Sequence, residues 1–138
     1  MPSLEHAITI AASAHAGYHT DNDEPYILHP LRVMLTLEDN DERIVAVLHD
    51  VVEKTGWTLA NLRDEGFPDH ILEAIDAVTR RHGEAYFDFV HRTRGNELGR
   101  RVKIMDLKDN IARVRKGAGN SQGERKLADY EAALVQLA

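Results

Sequence analysis

His49 and Asp50 stand side by side inside the apolar run Ile44-Val45-Ala46-Val47-Leu48-His49-Asp50-Val51-Val52. An imidazole beside a carboxylate in such surroundings is costly to bury without a strong partner. A metal ion is one such partner, and a structural ion pair is the alternative. Glu53 follows His49 by four residues and Asp50 by three, a spacing that gathers the three side chains on one side of a helical rod. Farther along, Asp106 and Asn110 are four apart and add a second carboxylate with an amide able to orient a water or a substrate oxygen. With His29 the set holds two imidazoles and two carboxylates. Such donors suit manganese, iron or zinc better than calcium, which prefers oxygen alone. Cysteine is absent, so any metal must be held by nitrogen and oxygen ligands.

The elements that must carry these residues read as helices. Leu4, Ala7, Ile8, Ala11 and Ala12 share one helix face, and Gly17 is its natural stop. After the polar loop Thr20 to Pro25, Pro30 suits the first turn of a second helix, with His29 at its N-terminal boundary. Asn40 and Asp41 are expected to cap a third helix that runs to about Lys54 and carries His49, Asp50 and Glu53. A short helix is expected over Thr58 to Glu65, one opened by Pro68, and an aromatic one over Glu84 to Arg94. A long helix follows from Glu97 to about Lys116 with the stripe Ile104, Leu107, Ile111 and Val114. The linker-like Gly117-Ala118-Gly119-Asn120 then precedes a capping box, Ser121 with Glu124, for a last helix. No strand pattern or internal repeat is visible. The expectation is an all-α, bundle-like fold of about seven or eight helices, one domain over residues 1–138.

Composition narrows the partners. With 17 basic against 23 acidic residues and a formal net charge of -6, the chain lacks the broad positive field that nucleic-acid backbones require. No run approaches the roughly 18 apolar residues of a membrane span, and no basic leader precedes an apolar stretch. A cytoplasmic protein that binds neither nucleic acid nor membrane is expected. The sequence carries no signal for oligomeric state.

Four ordered blocks, His15-Ala16-Gly17, Glu24 to Val33, Val47 to Glu53 and Val102 to Asn110, resemble the HD-domain hydrolases of the RelA/SpoT family, and in particular its single-domain alarmone hydrolases. The resemblance implies that His29, His49, Asp50 and Asp106 ligate one divalent metal, most typically Mn²⁺. It implies that Glu53 helps activate the attacking water and that Asn110 supports the nucleotide or the metal shell. The implied reaction removes the 3′-pyrophosphate of (p)ppGpp, a small-molecule nucleotide of the stringent response. Tyr26 matches a substrate-side tyrosine, and Lys126 with Tyr130 resembles a basic and aromatic pair closing over the nucleotide.

The chain also departs from the family. Tyr18 and Thr20 stand where a glutamine and a purine-packing basic residue are common, and Lys54 replaces the usual acid after Glu53. Tyr18 or His19 is an alternative platform for a base. These departures keep two other readings open: a phosphohydrolase acting on a different nucleotide, and a nucleotide-binding HD domain without turnover. Arg80, Arg81, Arg100, Arg101, Lys103, Arg113 and Lys126 are candidates for a local cationic field, against the plainer reading of solvated faces. His6, His70, His82 and His91 lack partners at ligand spacing and are expected at the surface, while Trp57 is expected to anchor the core below the third helix.

Overall fold

The computed structural model describes residues 2–117 and 121–138. Nine helical segments are found among them: α1 (Leu4–Ala14), α2 (Leu28–Leu35), α3 (Asn40–Leu48), α4 (Val51–Lys54), α5 (Leu59–Asp64), α6 (Asp69–Ala77), α7 (Tyr86–Arg94), α8 (Glu97–Gly117) and α9 (Ser121–Leu137). Counting α3 and its one-turn continuation α4 as a single interrupted rod leaves eight. No strand occurs among the described residues; the one sheet-like contact is an isolated antiparallel bridge between His19 and Pro25.

The helix starts follow side-chain chemistry. Ser3 accepts from the backbone N–H of His6 at the head of α1. Thr58 and Asn61 form a reciprocal capping box at α5, each side chain accepting the other's backbone N–H. At α3 the cap is Asp39, accepting from Glu42 N–H at 3.2 Å, one residue ahead of the expected Asn40. Asn40 and Asp41 lie instead in the first turn. The segment from Ala118 to Asn120 and the side chain of Ser121, expected as a linker and a capping box, fall outside the described residues.

The core is built around α3. Ile44, Val45, Ala46, Val47 and Leu48 are all buried, so this helix is covered on every side, as expected of a central rod rather than a surface one. It packs against α1, α2, α6 and α8. Trp57 is partly buried against the same core. A second cluster of Val90, Leu107, Ala133 and Leu137 fastens α9 to α7 and α8. The long helix α8 thus has two inward faces. Leu107, Ile111 and Val114 are apolar and buried, whereas Lys103 and Asp106 are polar and equally buried. That second face looks toward α2 and the end of α3.

Candidate metal centre

The rod expected to run through Lys54 breaks at the residues of greatest interest. His49 ends α3, and Asp50, with φ -102° and ψ -2°, occupies the N-cap position of α4. The Ala46 carbonyl, one of those a helix end leaves without an intrahelical partner, accepts from both the backbone N–H and the ring Nδ1–H of His49. The bond fixes the His49 ring, and the break leaves Asp50 at the head of the short helix that carries Glu53. The three residues are thus not carried by one continuous helix, although Asp50 and Glu53 line the same cleft.

Four residues do come together. One donor atom each from His29, His49, Asp50 and Asp106 lies within 4.8 Å of the other three, and all four residues are buried. His29 is brought in by the first turn of α2, and Asp106 by the polar inner face of α8. Asp106 Oδ1 stands 2.8 Å from His29 Nε2 and 3.0 Å from His49 Nε2. Asp50 Oδ2 lies 3.1 Å from His49 Nε2 and accepts from Tyr26 Oη at 2.6 Å. Lys103 Nζ, over the Phe89 ring at 5.1 Å, donates to Asp106 Oδ2 at 2.7 Å. Asn110 Nδ2 reaches Asp106 Oδ1 at 3.3 Å, and Arg113 donates to Asn110 Oδ1 at 3.1 Å.

The charges are set by this packing. Burial disfavours ionised Asp106, but the Lys103 ammonium and His49 outweigh it and hold the carboxyl well below its ordinary pKa. Asp50 is likewise lowered, since His49 overcomes the desolvation. Burial opposes charge on His49 and His29, yet Asp50 and Asp106 raise the first, and hydrogen bonds to Asp106 and Asp109 raise the second. Burial pushes the Tyr26 hydroxyl far up, so it remains a donor to Asp50.

The donor chemistry fits a divalent cation. His49 Nδ1 donates to a carbonyl and His29 Nδ1 to the Asp109 carboxylate at 2.6 Å. A neutral ring at either place turns a lone pair, not a proton, toward Asp106 Oδ1. Two lone pairs against a carboxylate are tolerable only when each ring takes a second proton or when a cation lies among the donors. A divalent cation matches two imidazole nitrogens and two carboxylate oxygens, with no cysteine needed.

Three of the four, His29, Asp50 and Asp106, line a cleft of about 470 Å³, within the range of about 300–1,000 Å³ usual for small-molecule sites. Tyr18, Tyr26, Glu53, Asn110, Lys126 and Tyr130 all line it. Tyr18 is 47% exposed at the lip. Glu53 is outside the donor group: its Oε1 accepts from the Arg80 backbone N–H at 2.8 Å, and its Oε2 is 3.5 Å from Lys54 Nζ. Lys126 Nζ is paired with Asp21 at 3.0 Å. Of the basic candidates, Arg80, Lys103, Arg113 and Lys126 line the cleft. Arg81, Arg100 and Arg101 make ion pairs elsewhere. His6 and His70 form exposed pairs with Glu65 and Asp41.

Three further residues bear on the group. Lys103 and Asp109 flank Asp106 by three residues on either side; Lys103 bonds Asp106 as a helical neighbour, whereas the partners of Asp109, His29 and Arg32, are tertiary. His15 is buried against the Tyr26 ring with a centroid distance of 4.9 Å, and neither ring nitrogen has a protein hydrogen-bond partner. Burial lowers its pKa. In the sequence it lies four residues beyond Ala11 on the apolar face of α1 and opens the block His15-Ala16-Gly17.

The protein is a helical domain in which a buried group of two histidines and two aspartates, a donor set that could hold a metal ion, adjoins a polar cleft. The chain belongs to the HD-domain family, whose model, described as HD domain, matches residues 7–132. It is 38% identical over 84 residues to the guanosine-3′,5′-bis(diphosphate) 3′-pyrophosphohydrolase of Borreliella burgdorferi, covering 58% of this chain and 12% of that protein. To the protein of the same name from Aquifex aeolicus it is 28% identical over 120 residues, covering 78% of this chain and 17% of the relative. The matched stretches are thus a small part of both curated relatives. The fold is shared with a metazoan orthologue of SpoT, described as hydrolysing ppGpp and having a role in starvation responses. That match has a TM-score of 0.73 at 19% identity, over 99% of this chain and 95% of the other. No helix among the described residues is long and apolar enough to cross a membrane.

Proposed function

We propose that residues 1–138 act as one HD-type phosphohydrolase unit that removes the 3′-pyrophosphate of (p)ppGpp, yielding GDP or GTP and pyrophosphate, with one Mn²⁺ held by His29, His49, Asp50 and Asp106. The observation that carries this reading is the mutual approach of those four donors within 4.8 Å beneath a cleft lined by cations. The names of the curated relatives support the substrate. A free nucleotide substrate implies a cytoplasmic site of action and no nucleic-acid partner.

In the hydrolysis, the oxygen of water joins the phosphorus attached to the 3′-oxygen, the bond from that phosphorus to the 3′-oxygen breaks, and the 3′-oxygen takes up a proton. A bound divalent cation would supply Lewis-acid polarisation of the phosphoryl group and lower the pKa of the attacking water. Glu53 accepts that water's proton, its carboxylate steadied by the Arg80 N–H. Asn110, tied to Asp106 and Arg113, orients a phosphoryl oxygen. Arg80, Lys103, Arg113 and Lys126 offset the polyphosphate charge. Tyr26 acts chiefly through its bond to Asp50, and Tyr130 and Tyr18 offer faces to the nucleoside.

The test is purified protein with Mn²⁺ and ppGpp, following pyrophosphate release. Turnover absent from a His49→Ala control supports the proposal, and no turnover above that control removes it. A different nucleotide as substrate is favoured by two features: Lys126 is engaged by Asp21 at 3.0 Å, and Thr20 brings no cation to the cleft. A nucleotide panel in the same assay separates the two. Tight binding without hydrolysis across several metals would instead support a nucleotide-binding domain.

A further inference from the structure

The His29 ring is held from behind by a chain of alternating charge. Its Nδ1 donates to Asp109 Oδ2 at 2.6 Å. The Arg32 guanidinium clasps both oxygens of that carboxylate, Nε to Oδ1 at 2.8 Å and an Nη to Oδ2 at 3.0 Å. Glu24 Oε1 lies 2.8 Å from the same guanidinium. The chain runs from the loop ahead of α2, across α2, to α8, and ends on a ring nitrogen.

A tie between α2 and α8 would need only the Arg32 and Asp109 pair. The additional bond to His29 does something that pair does not. It keeps the proton on Nδ1, so the Nε2 lone pair is directed at the donor group, and an anionic acceptor makes the ring more basic. The two histidines differ in this respect: a neutral carbonyl backs His49, and a carboxylate backs His29. The forked contact from Arg32 keeps Asp109 ionised and fixes its rotation.

We infer that Asp109, clamped by Arg32, is a positioning residue that sets the tautomer and donor strength of His29 toward a divalent cation. The inference rests on the metal reading above, and metal affinity tests it without reference to any substrate. Wild-type protein and the Asp109→Asn, Asp109→Ala and Arg32→Gln variants are titrated with Mn²⁺ in competition with a chelator, and with Co²⁺ followed by visible absorption. Asp109→Asn should weaken Mn²⁺ binding about 10-fold and Asp109→Ala by up to about 100-fold. Arg32→Gln should give a smaller loss, and the Co²⁺ spectrum should shift in both Asp109 variants. Should Asp109→Ala fail to fold, the near-isosteric Asp109→Asn and Arg32→Gln carry the test. A purely structural tie predicts lower melting temperatures with metal affinity and Co²⁺ spectrum unchanged. Folded variants that bind Mn²⁺ within about twofold of wild type would therefore overturn the inference while leaving the metal site standing. Wild-type protein that takes up neither ion would overturn the metal reading and this inference with it.

Discussion

Replacing Lys103 by Met keeps most of the buried stem and removes only the charge that faces Asp106 Oδ2 at 2.7 Å. Lys103 is 9% exposed and Asp106 3%, so water does little to screen the loss. Breaking a buried ion pair by removing one partner costs about 3–5 kcal/mol, because the other charge is left without compensation. Here the two imidazoles still face Asp106 Oδ1, which puts the expected cost at the lower end, about 3 kcal/mol. For a chain of this size that corresponds to a fall in Tm of about 10 °C. A divalent cation held among the donors would neutralise the same carboxylate, so the loss in Mn²⁺-loaded protein should be smaller. Thermal and urea unfolding followed by circular dichroism, in chelator and in excess Mn²⁺, reads both values. A Tm change under about 2 °C in chelator would refute the claim that Lys103 compensates Asp106. Equal losses in the two conditions would refute the claim that metal and ammonium neutralise one carboxylate.

Two further predictions follow from the electrostatics and from the loop that steadies Glu53. The raised pKa values of His29 and His49 mean that their protonation stabilises the metal-free fold fully below the unfolded imidazole value of about 6.5 and is lost as pH rises through the folded values. Metal uptake near neutral pH should accordingly release protons, seen in calorimetry as a dependence on buffer ionisation heat; uptake without release would contradict the charge assignment. Arg92 clamps the segment carrying Arg80 through two bonds of 2.9 Å to Glu84 and bonds to the carbonyls of Asp76 and Thr79 at 2.9 and 2.7 Å. Arg92→Met should lower kcat about 10-fold with KM little changed, because Glu53 loses a fixed partner in the Arg80 N–H, and unchanged kcat would contradict that link.

The parts of the molecule legible in the sequence are those decided locally. The unbroken apolar stretch from Ile44 to Leu48, behind the capping residues Asp39 to Asp41, reads as a buried rod, and the spacing of Leu107, Ile111 and Val114 gives one face of α8. The helical blocks around His29, His49 and Asp106 could each be read alone, which is why the fold class followed. The break after Leu48 could not, because Val51 and Val52 continue the apolar pattern and no glycine or proline marks it. Two bonds accompany it, a local one from the His49 ring to the Ala46 carbonyl and a tertiary one from Tyr26 to Asp50. The cap at Asp39 was missed for a smaller reason. Asp39, Asn40 and Asp41 are three adjacent residues of good capping type, and only the backbone decides among them. Arg32 and Asp109 meet across 77 positions, a distance over which a single sequence carries no pairing signal.

The central claim is that His29, His49, Asp50 and Asp106 hold one cation. Crystals grown with Mn²⁺ and measured for anomalous scattering test it most directly. The account predicts one strong peak about 2.0–2.3 Å from the two Nε2 atoms and from a carboxylate oxygen of each aspartate. A peak elsewhere, or none among these donors at saturating Mn²⁺, would contradict it.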